Sequence, residues 1–272
     1  MKKLIVILCA LCFTFISNAQ ENEDIVSLKE HAEKGEVGAQ LKLADYYFLG
    51  QGGLEQSYEK AFYWTNKAAE QGNPFAQYNI GLYYHNGQGV EQSNSKAAYW
   101  WEKAAEQGND MAQFGLGDCY RDGIGVEQSY SRAAYWYKKA AEQGDPKAQY
   151  NLGVCYYSGK GVEQSYSKAV YWYTKGAEQG YDMAQLELGI CYYEGLGVEK
   201  SNSKAFYWYK KAAEQGNSKA QYYLGACYYS GKGVEKSENK AIYWFRKACE
   251  NFDDEACEFL NKINWGVYLA TY

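Results

Sequence analysis

Apolar residues in this chain recur at spacings of three and four, and short polar segments interrupt them at regular intervals. In one representative segment the apolar positions fall at i, i+4, i+7 and i+8: Ala148, Leu152, Cys155 and Tyr156. This spacing is typical of one apolar face of a helix. Gly159 and Gly161 end that helix, and Ser165 is a candidate N-cap for a second one. The segment therefore predicts two helices joined by a turn.

The same helix–turn–helix pattern returns at a fixed period. The tetrapeptide Ala-Glu-Gln-Gly ends at five positions that are 36 residues apart: Gly72, Gly108, Gly144, Gly180 and Gly216. A degenerate copy ends at Gly35, 37 residues before the first, and the added residue is visible as Gly53. A fixed period in this range is typical of stacked repeat proteins. One copy cannot bury its aromatic faces alone, so the copies must stack.

We therefore predict an all-α fold, a right-handed α/α superhelical solenoid of about six 36-residue repeats with capping helices at both ends. The repeats are predicted at 36–72, 73–108, 109–144, 145–180, 181–216 and 217–252. Residues 20–35 are expected to form an N-terminal capping helix, and residues 253–272 a C-terminal capping helix and tail.

Three columns recur across the copies and are predicted to form the core of the stack. One column is Trp64, Trp100, Trp136, Trp172, Trp208 and Trp244. Another is Tyr47, Tyr84, Tyr120, Tyr156, Tyr192 and Tyr228. The third is Ala44, Gly81, Gly117, Gly153, Gly189 and Gly225. A glycine inside a helix costs about 1 kcal/mol relative to alanine, so its repetition indicates close helix–helix approach.

The first residues resemble an export signal. Lys2 and Lys3 precede an apolar run over 4–16, and the small residue Ala19 follows it. This arrangement predicts a signal peptide at 1–19, and hence a periplasmic or secreted protein. The run is shorter than the roughly 20 residues that span a membrane. A transmembrane anchor and a lipoprotein remain alternatives.

Composition excludes several function classes. The formal net charge is -5 and no basic patch is present, so nucleic acid is not an expected partner. No second hydrophobic span follows the first, and we expect a monomer without a membrane span. The only two histidines, His31 and His85, are too few for a metal triad or a proton relay, and we predict no metal site and no cofactor.

The motif of the repeat is long and specific. In one copy it comprises Ala148, Leu152, Gly153, Tyr156, Gly159, Gly161, Val162, Lys168, Ala169, Trp172, Tyr173, Lys175, Ala177, Gln179 and Gly180. This pattern resembles the Sel-one-like repeat, a branch of the tetratricopeptide-related α/α solenoids. The family usually has Asp where Ser165 stands, and alanine where Gly176 stands. The resemblance implies an interaction scaffold, since the family mostly supplies such scaffolds.

The cysteines fall into two groups. Four of them lie 36 residues apart: Cys119, Cys155, Cys191 and Cys227. Neighbouring helices pack at about 8–10 Å, whereas a disulfide needs Cα atoms within about 7 Å, so we interpret these four as small buried side chains. Their redox state stays open. Cys249 and Cys257 differ, because similar pairs form disulfides in secreted cysteine-rich members of the family. The resemblance therefore implies a bridge here.

No catalytic residue is predicted. Serine–x–x–lysine, a motif of penicillin-recognising enzymes, occurs at Ser57, Ser93, Ser165, Ser201 and Ser237. An active site occurs once, whereas this motif recurs at helix starts, so these serines are interpreted as N-caps. Some cysteine-rich members of the family are described as binding penicillin or hydrolysing β-lactams weakly. A β-lactam-binding or weakly β-lactamase-like cell-wall protein is therefore the alternative function.

The first helix of each copy carries the positions that vary most between copies, at spacings of three and four that place them on one face. In related solenoids these helices line a concave groove. The residues predicted to bind a protein or peptide partner are Asn79, His85, Asp118, Arg121, Asn151, Tyr157, Glu187, Tyr193, Tyr223 and Tyr229. Tyrosine suits such a surface because it buries area and keeps a polar end. The alternative is that these positions vary because nothing contacts them.

Overall fold

The computed structural model describes residues 24–261, and this part of the chain consists of helices joined by short turns. The predicted signal peptide at 1–19 and the tail after residue 261 lie outside the described residues. The helices are α1 (24–33), α2 (Val37–Leu49), α3 (Tyr58–Glu70), α4 (Pro74–Asn86), α5 (Asn94–Glu106), α6 (Asp110–Asp122), α7 (Tyr130–Glu142), α8 (Pro146–Ser158), α9 (Tyr166–Glu178), α10 (Asp182–Glu194), α11 (Asn202–Glu214), α12 (Ser218–Ser230), α13 (Glu238–Glu250) and α14 (254–261). Residues 24–261 contain no strand, and the predicted all-α fold is confirmed.

The chain divides into two compact units at Ser129. In the first unit, α2 packs on α3 and α4 on α5, and α3 contacts α4. In the second unit, α8 packs on α9, α10 on α11 and α12 on α13, and each pair contacts the next. Helix pairs that contact only their neighbours form an α/α solenoid.

The helices begin and end at the residues that the sequence marks. Ser165 accepts a hydrogen bond from the backbone N–H of Lys168 at 3.4 Å, and thereby caps α9. The predicted serine caps are confirmed at Ser57, Ser93, Ser165, Ser201 and Ser237. The first helix of a pair ends at a glycine in the left-handed conformation, such as Gly159 with φ 71°.

The core differs from the sequence prediction in two columns. In the predicted tyrosine column Tyr47 and Tyr120 are buried, whereas four members are half-buried: Tyr84, Tyr156, Tyr192 and Tyr228. A fully buried aliphatic ladder lines both units: Leu43, Ile80, Leu116, Leu152, Leu188 and Leu224. The predicted glycine column is also buried. However, most tryptophans of the predicted core column are only half-buried, and Trp136 is the exception at 9% exposed. The residue after each tryptophan points inward instead, as Tyr173 (1% exposed) shows. The tryptophans pack edge-to-face on the preceding tyrosine, as Trp172 does on Tyr171 at 5.0 Å between ring centroids.

Candidate partner-binding surface

All ten predicted partner-binding residues lie on first helices, where nine are half-buried and Tyr229 is 44% exposed. We call the surface that they form within each unit the first-helix face. The first unit contributes Asn79, His85, Asp118 and Arg121. The second unit contributes Asn151, Tyr157, Glu187, Tyr193, Tyr223 and Tyr229.

Arg121 is already paired by carboxylates of its own helix. Its guanidinium lies 2.8 Å from Asp118 Oδ1 and 2.7 Å from Asp122 Oδ2, and its Nε donates to Asp122 Oδ1 at 2.8 Å. Hydrogen bonding to Arg121 lowers the pKa of Asp122 below its ordinary value. The sequence analysis placed Arg121 and Asp118 on the same face, as observed. It did not predict that Asp118 and Asp122 would both pair with the guanidinium of Arg121. The net charge of this cluster is negative, so Arg121 is not a free cationic anchor.

His85 and Asn79 lie elsewhere on the first-helix face of the first unit. The Nδ1 atom of His85 is 3.2 Å from Asn94 Oδ1, and its ring lies 5.5 Å from the ring of Trp101. Asn79 lines a cleft with a volume of about 310 Å³, together with Asp45, Phe48 and Thr65. His85 and Asn79 therefore lie on the same face but in different local surroundings.

Glu187, in α10, is a half-buried residue of the first-helix face in the second unit. Burial raises its pKa above the ordinary value, and Lys219 partly offsets this shift. Its charge also acts on Tyr157 and Tyr223, since it contributes to the raised pKa of both phenols, for which burial is the main cause. Within residues 24–261 no side chain donates a hydrogen bond to its carboxylate. Glu187 is therefore a partly desolvated acceptor among tyrosines.

The remaining tyrosines of the second unit make well-defined ring contacts. Tyr223 stacks on Tyr209 at 5.1 Å with an interplanar angle of 18°. Lys232 Nζ donates a hydrogen bond to the hydroxyl of Tyr193 and lies 4.9 Å from the ring centroid. Tyr193, Tyr223 and Lys232 line a cleft of about 180 Å³. Tyr229 lies apart from them, because its ring packs edge-to-face on Phe259 of α14 at 5.3 Å.

A buried glutamine column was missed by the sequence analysis. Its members are 2–4% exposed: Gln40, Gln77, Gln113, Gln149, Gln185 and Gln221. Gln149 donates from Nε2 to the carbonyl of Ala141 at 3.2 Å, and it accepts from Gln179 Nε2 at 2.8 Å. Gln179 belongs to an Ala-Glu-Gln-Gly tetrapeptide, so this recurring motif also bonds the two helices of one repeat. The signal was present, because every copy has Ala-Gln at this place.

The repeated serine–x–x–lysine pairs have structural roles for both residues. Each serine is an N-cap, as described above for Ser165. Each lysine lies over the ring of a tyrosine from the first helix of its own repeat, as Lys168 does over Tyr156 at 5.4 Å from the centroid. The equivalent distances are 5.2 Å for Lys60, 5.2 Å for Lys96, 5.1 Å for Lys204 and 5.3 Å for Lys240. These are cation–π contacts.

The structure contains both the expected disulfide and the expected column of buried cysteines. Cys249, at the end of α13, is bonded to Cys257 in α14, with the Cα atoms 4.9 Å apart. The other four, Cys119, Cys155, Cys191 and Cys227, are buried and lie outside this disulfide. In the described part of the chain, no three His, Cys, Asp or Glu side chains are grouped so that they could hold a metal ion.

The fold and this face define a helical-repeat solenoid protein. A family model described as the Sel1 repeat matches residues 37–73, 74–109, 110–145, 146–181, 182–217 and 218–251. The chain therefore belongs to the Sel1 repeat family. Proteins of this family serve as protein-interaction scaffolds.

Two solved structures are similar over most of this chain. One, described as a protective antigen of uropathogenic Escherichia coli strains with an SLR fold, is 38% identical with a TM-score of 0.82. That match covers 86% of this chain and 50% of the antigen. The other, a Sel1 repeat protein from Oxalobacter formigenes, is 35% identical with a TM-score of 0.68 and covers 85% of this chain and 96% of that one.

Curated relatives match over shorter stretches. HRD3A, described as an ERAD-associated E3 ubiquitin-protein ligase component of Arabidopsis thaliana, is 34% identical over 71 residues. The match covers 26% of this chain and 10% of HRD3A, so this chain spans only a tenth of that relative. From residue 24 to residue 261, no helix has both the length and the apolar character needed to cross a membrane.

Proposed function

We propose that this protein is an exported scaffold that binds a segment of another protein, or a peptide, through the first-helix face of its repeats. It acts as a monomer and as a binding protein rather than a catalyst. The observation that carries the proposal is the arrangement in the second unit, where Tyr157 and Tyr223 lie within the electrostatic reach of the half-buried carboxylate of Glu187. Tyr193 lines a cleft together with Tyr223.

Physical chemistry favours a binding role for this arrangement. Partly exposed tyrosines supply large contact areas and keep a hydrogen-bonding end, which is why they are enriched at interfaces. A partly desolvated carboxylate gains from a donor that a partner brings to it. Both properties occur together around Glu187, on helices that are joined by hydrogen bonds of the glutamine column, such as that between Gln215 and Gln185.

Export is supported by the bridge between Cys249 and Cys257. Disulfides persist in oxidising compartments such as the periplasm and the extracellular space. The predicted signal peptide agrees with this location, which is periplasmic or secreted.

The experiment that tests the proposal is affinity capture from the extracytoplasmic fraction, with the purified protein as bait. The face variant is Tyr157→Ala/Tyr193→Ala. Its matched control is Tyr171→Ala/Tyr207→Ala, which removes two tyrosines of the second helices that are 55% and 51% exposed. We expect the face variant to lose the captured protein while the control retains it.

Thermal unfolding of both variants separates binding from stability. Equal capture by the wild type and a folded face variant would count against the first-helix face. Loss of capture by the second-helix control, with the face variant unaffected, would place the binding surface on the other side of the repeats.

A further inference from the structure

One position of the first unit breaks the pattern of buried rings. The residue after the tryptophan is aromatic in five repeats, and the members of this column are Thr65, Trp101, Tyr137, Tyr173, Tyr209 and Phe245. Thr65 is the only one without a ring. It is 2% exposed, and its hydroxyl donates to the carbonyl of Ala61 at 2.8 Å.

Two residues near Thr65 also differ from their counterparts in the later repeats. The glycine column has Ala44 in the first repeat, where no ring is present to exclude its methyl group. The cysteine column has Tyr46 and Tyr83 in the first two repeats, where later repeats have Cys119, Cys155, Cys191 and Cys227. The Tyr83 phenol reaches Thr65: burial raises its pKa, and a hydrogen bond with Thr65 partly opposes that shift. A ring from the next repeat thus takes part of the space that a ring of the same repeat fills elsewhere.

This exchange leaves a cleft open to the surface between α2, α3 and α4. Its volume is about 310 Å³, which is within the range of small-ligand sites. Phe48 and Tyr83 supply aromatic walls, with their ring centroids 6.2 Å apart. The polar lining residues are Asp45, Thr65, Asn79, Asn86 and Gln88.

The charge of the cleft is negative. Asp45 makes no hydrogen bond or ion pair within residues 24–261, and no lining residue is basic. Asp45 is more than a third exposed, yet the surrounding groups still raise its pKa through partial burial. The side chains of Asn79, Asn86 and Gln88 add amide oxygens that can accept hydrogen bonds.

We propose that this cleft binds the side chain of an arginine from the partner segment. The inference rests on the proposed function and adds the chemistry of one partner residue. A guanidinium presents five N–H donors in a plane, which suit one carboxylate and several amide oxygens. Its flat face also stacks on aromatic rings such as those of Phe48 and Tyr83. The ammonium of lysine has three donors and no plane, so it matches fewer of these groups.

The test uses the purified protein and a blocked tripeptide, N-acetyl-Gly-Arg-Gly-amide, as the probe. Binding is followed by NMR, from the methyl signal of Thr65 and the side-chain amide signals of Asn79 and Asn86. The citrulline tripeptide is the matched neutral control, because it keeps the shape of arginine and loses the charge. We expect saturable shifts with the arginine probe, weaker shifts with the lysine tripeptide, and none with citrulline.

Two variants examine the cleft itself. Asp45→Asn removes the charge, and we expect it to weaken arginine binding by about tenfold or more, as loss of a charge-assisted hydrogen bond does. The variant Ala44→Gly/Thr65→Tyr/Tyr83→Cys rebuilds the residue set found at Gly153, Tyr173 and Cys191, and should abolish binding by closing the cleft. Glu70→Gln, an exposed carboxylate outside the cleft, should leave binding unchanged.

The proposal is overturned if the arginine probe gives no saturable shift at its solubility limit, or if citrulline binds equally well. It is also overturned if a folded Asp45→Asn variant retains full affinity. If the probe fails while partner capture still depends on Tyr157 and Tyr193, the arginine cleft is wrong and the proposed function stands. If the probe binds while partner capture is unaffected by Tyr157→Ala/Tyr193→Ala, the arginine cleft stands and the proposed binding through the first-helix face is wrong.

Discussion

A Cβ atom added to Gly153 would lie 2.5 Å from the ring of Tyr173, which belongs to the second helix of the same repeat. Real Cβ atoms essentially never approach a neighbour so closely. The same relationship holds between Gly189 and Tyr209, at 2.6 Å. The glycine column therefore lets a buried ring pack directly on the backbone of the first helix, and this packing outweighs the low helix propensity of glycine.

We expect Gly153→Ala to lower the free energy of unfolding by about 1–3 kcal/mol, because the added methyl group forces the Tyr173 ring or the helix to move. The matched control is Gly38→Ala in α2, where nothing lies within 4 Å of the added Cβ. That change should raise stability by less than about 1 kcal/mol. Urea unfolding followed by circular dichroism measures both, and equal midpoints for the two variants would contradict the packing role.

Much of this fold was predictable from local sequence signals. The serine caps and the left-handed glycines, such as Ser165 and Gly159, act through their own backbone neighbourhood. Their repetition at 36 residues makes each of them easy to recognise. The close approach at Gly153 was predicted for the same reason, because a helix-interior glycine that recurs needs a packing explanation.

The features that the sequence analysis mispredicted or missed also have physical explanations. Tyr171, Trp172 and Tyr173 are consecutive aromatic residues that cover most of the circumference of α9, so periodicity alone does not tell which ring points inward. Glutamine is usually exposed, which concealed the buried Gln149. The pairing of Arg121 depends on side-chain rotamers, which residue spacing does not specify.

The glutamine column gives a second prediction. Replacing Gln149 by alanine removes its hydrogen bonds to the carbonyl of Ala141 and from the amide of Gln179. Both groups keep a second partner, because Ala141 also accepts from the backbone N–H of Gly144 and Gln179 also donates to the carbonyl of Gly144. We expect a loss of about 1–3 kcal/mol, since each hydrogen bond contributes about 0.5–1.5 kcal/mol net. Gln179→Ala should cost less, because Gln179 is exposed. A double-mutant cycle on the pair should show a coupling energy, and strict additivity would contradict the hydrogen bond.

The disulfide gives a third prediction. Opening the loop between Cys249 and Cys257 should lower the free energy of unfolding by about 2.5 kcal/mol in the chain-entropy model. Thermal unfolding with and without dithiothreitol measures this loss in the wild type. The variant Cys249→Ala/Cys257→Ala should melt at the same temperature in both buffers, which shows that the reductant acts through this bond alone. A wild type that is insensitive to complete reduction would disprove the stabilising role.

Because several thiols are buried, we expect the free energy of unfolding to decrease at alkaline pH. Burial raises the pKa of Cys191 from its ordinary value of 9.0 to about 12, with Glu187 adding to the shift. Burial likewise raises the pKa of Cys119 and of Cys227 to about 11. Between pH 9 and 12 the unfolded chain has released these protons while the folded chain keeps them. The unfolded state then binds fewer protons, so the free energy of unfolding must fall as pH rises through this window.

Urea unfolding at a series of pH values from neutral to alkaline tests this expectation. The slope of stability against pH should become negative above pH 9, and Cys191→Ala should make it shallower because one of the titrating thiols is gone. Buried tyrosines such as Tyr173, whose pKa is also raised by burial, act in the same direction at higher pH and remain in the variant. Identical slopes for the wild type and Cys191→Ala would show that this thiol ionises equally easily in both states, and hence that it is not shielded in the folded protein.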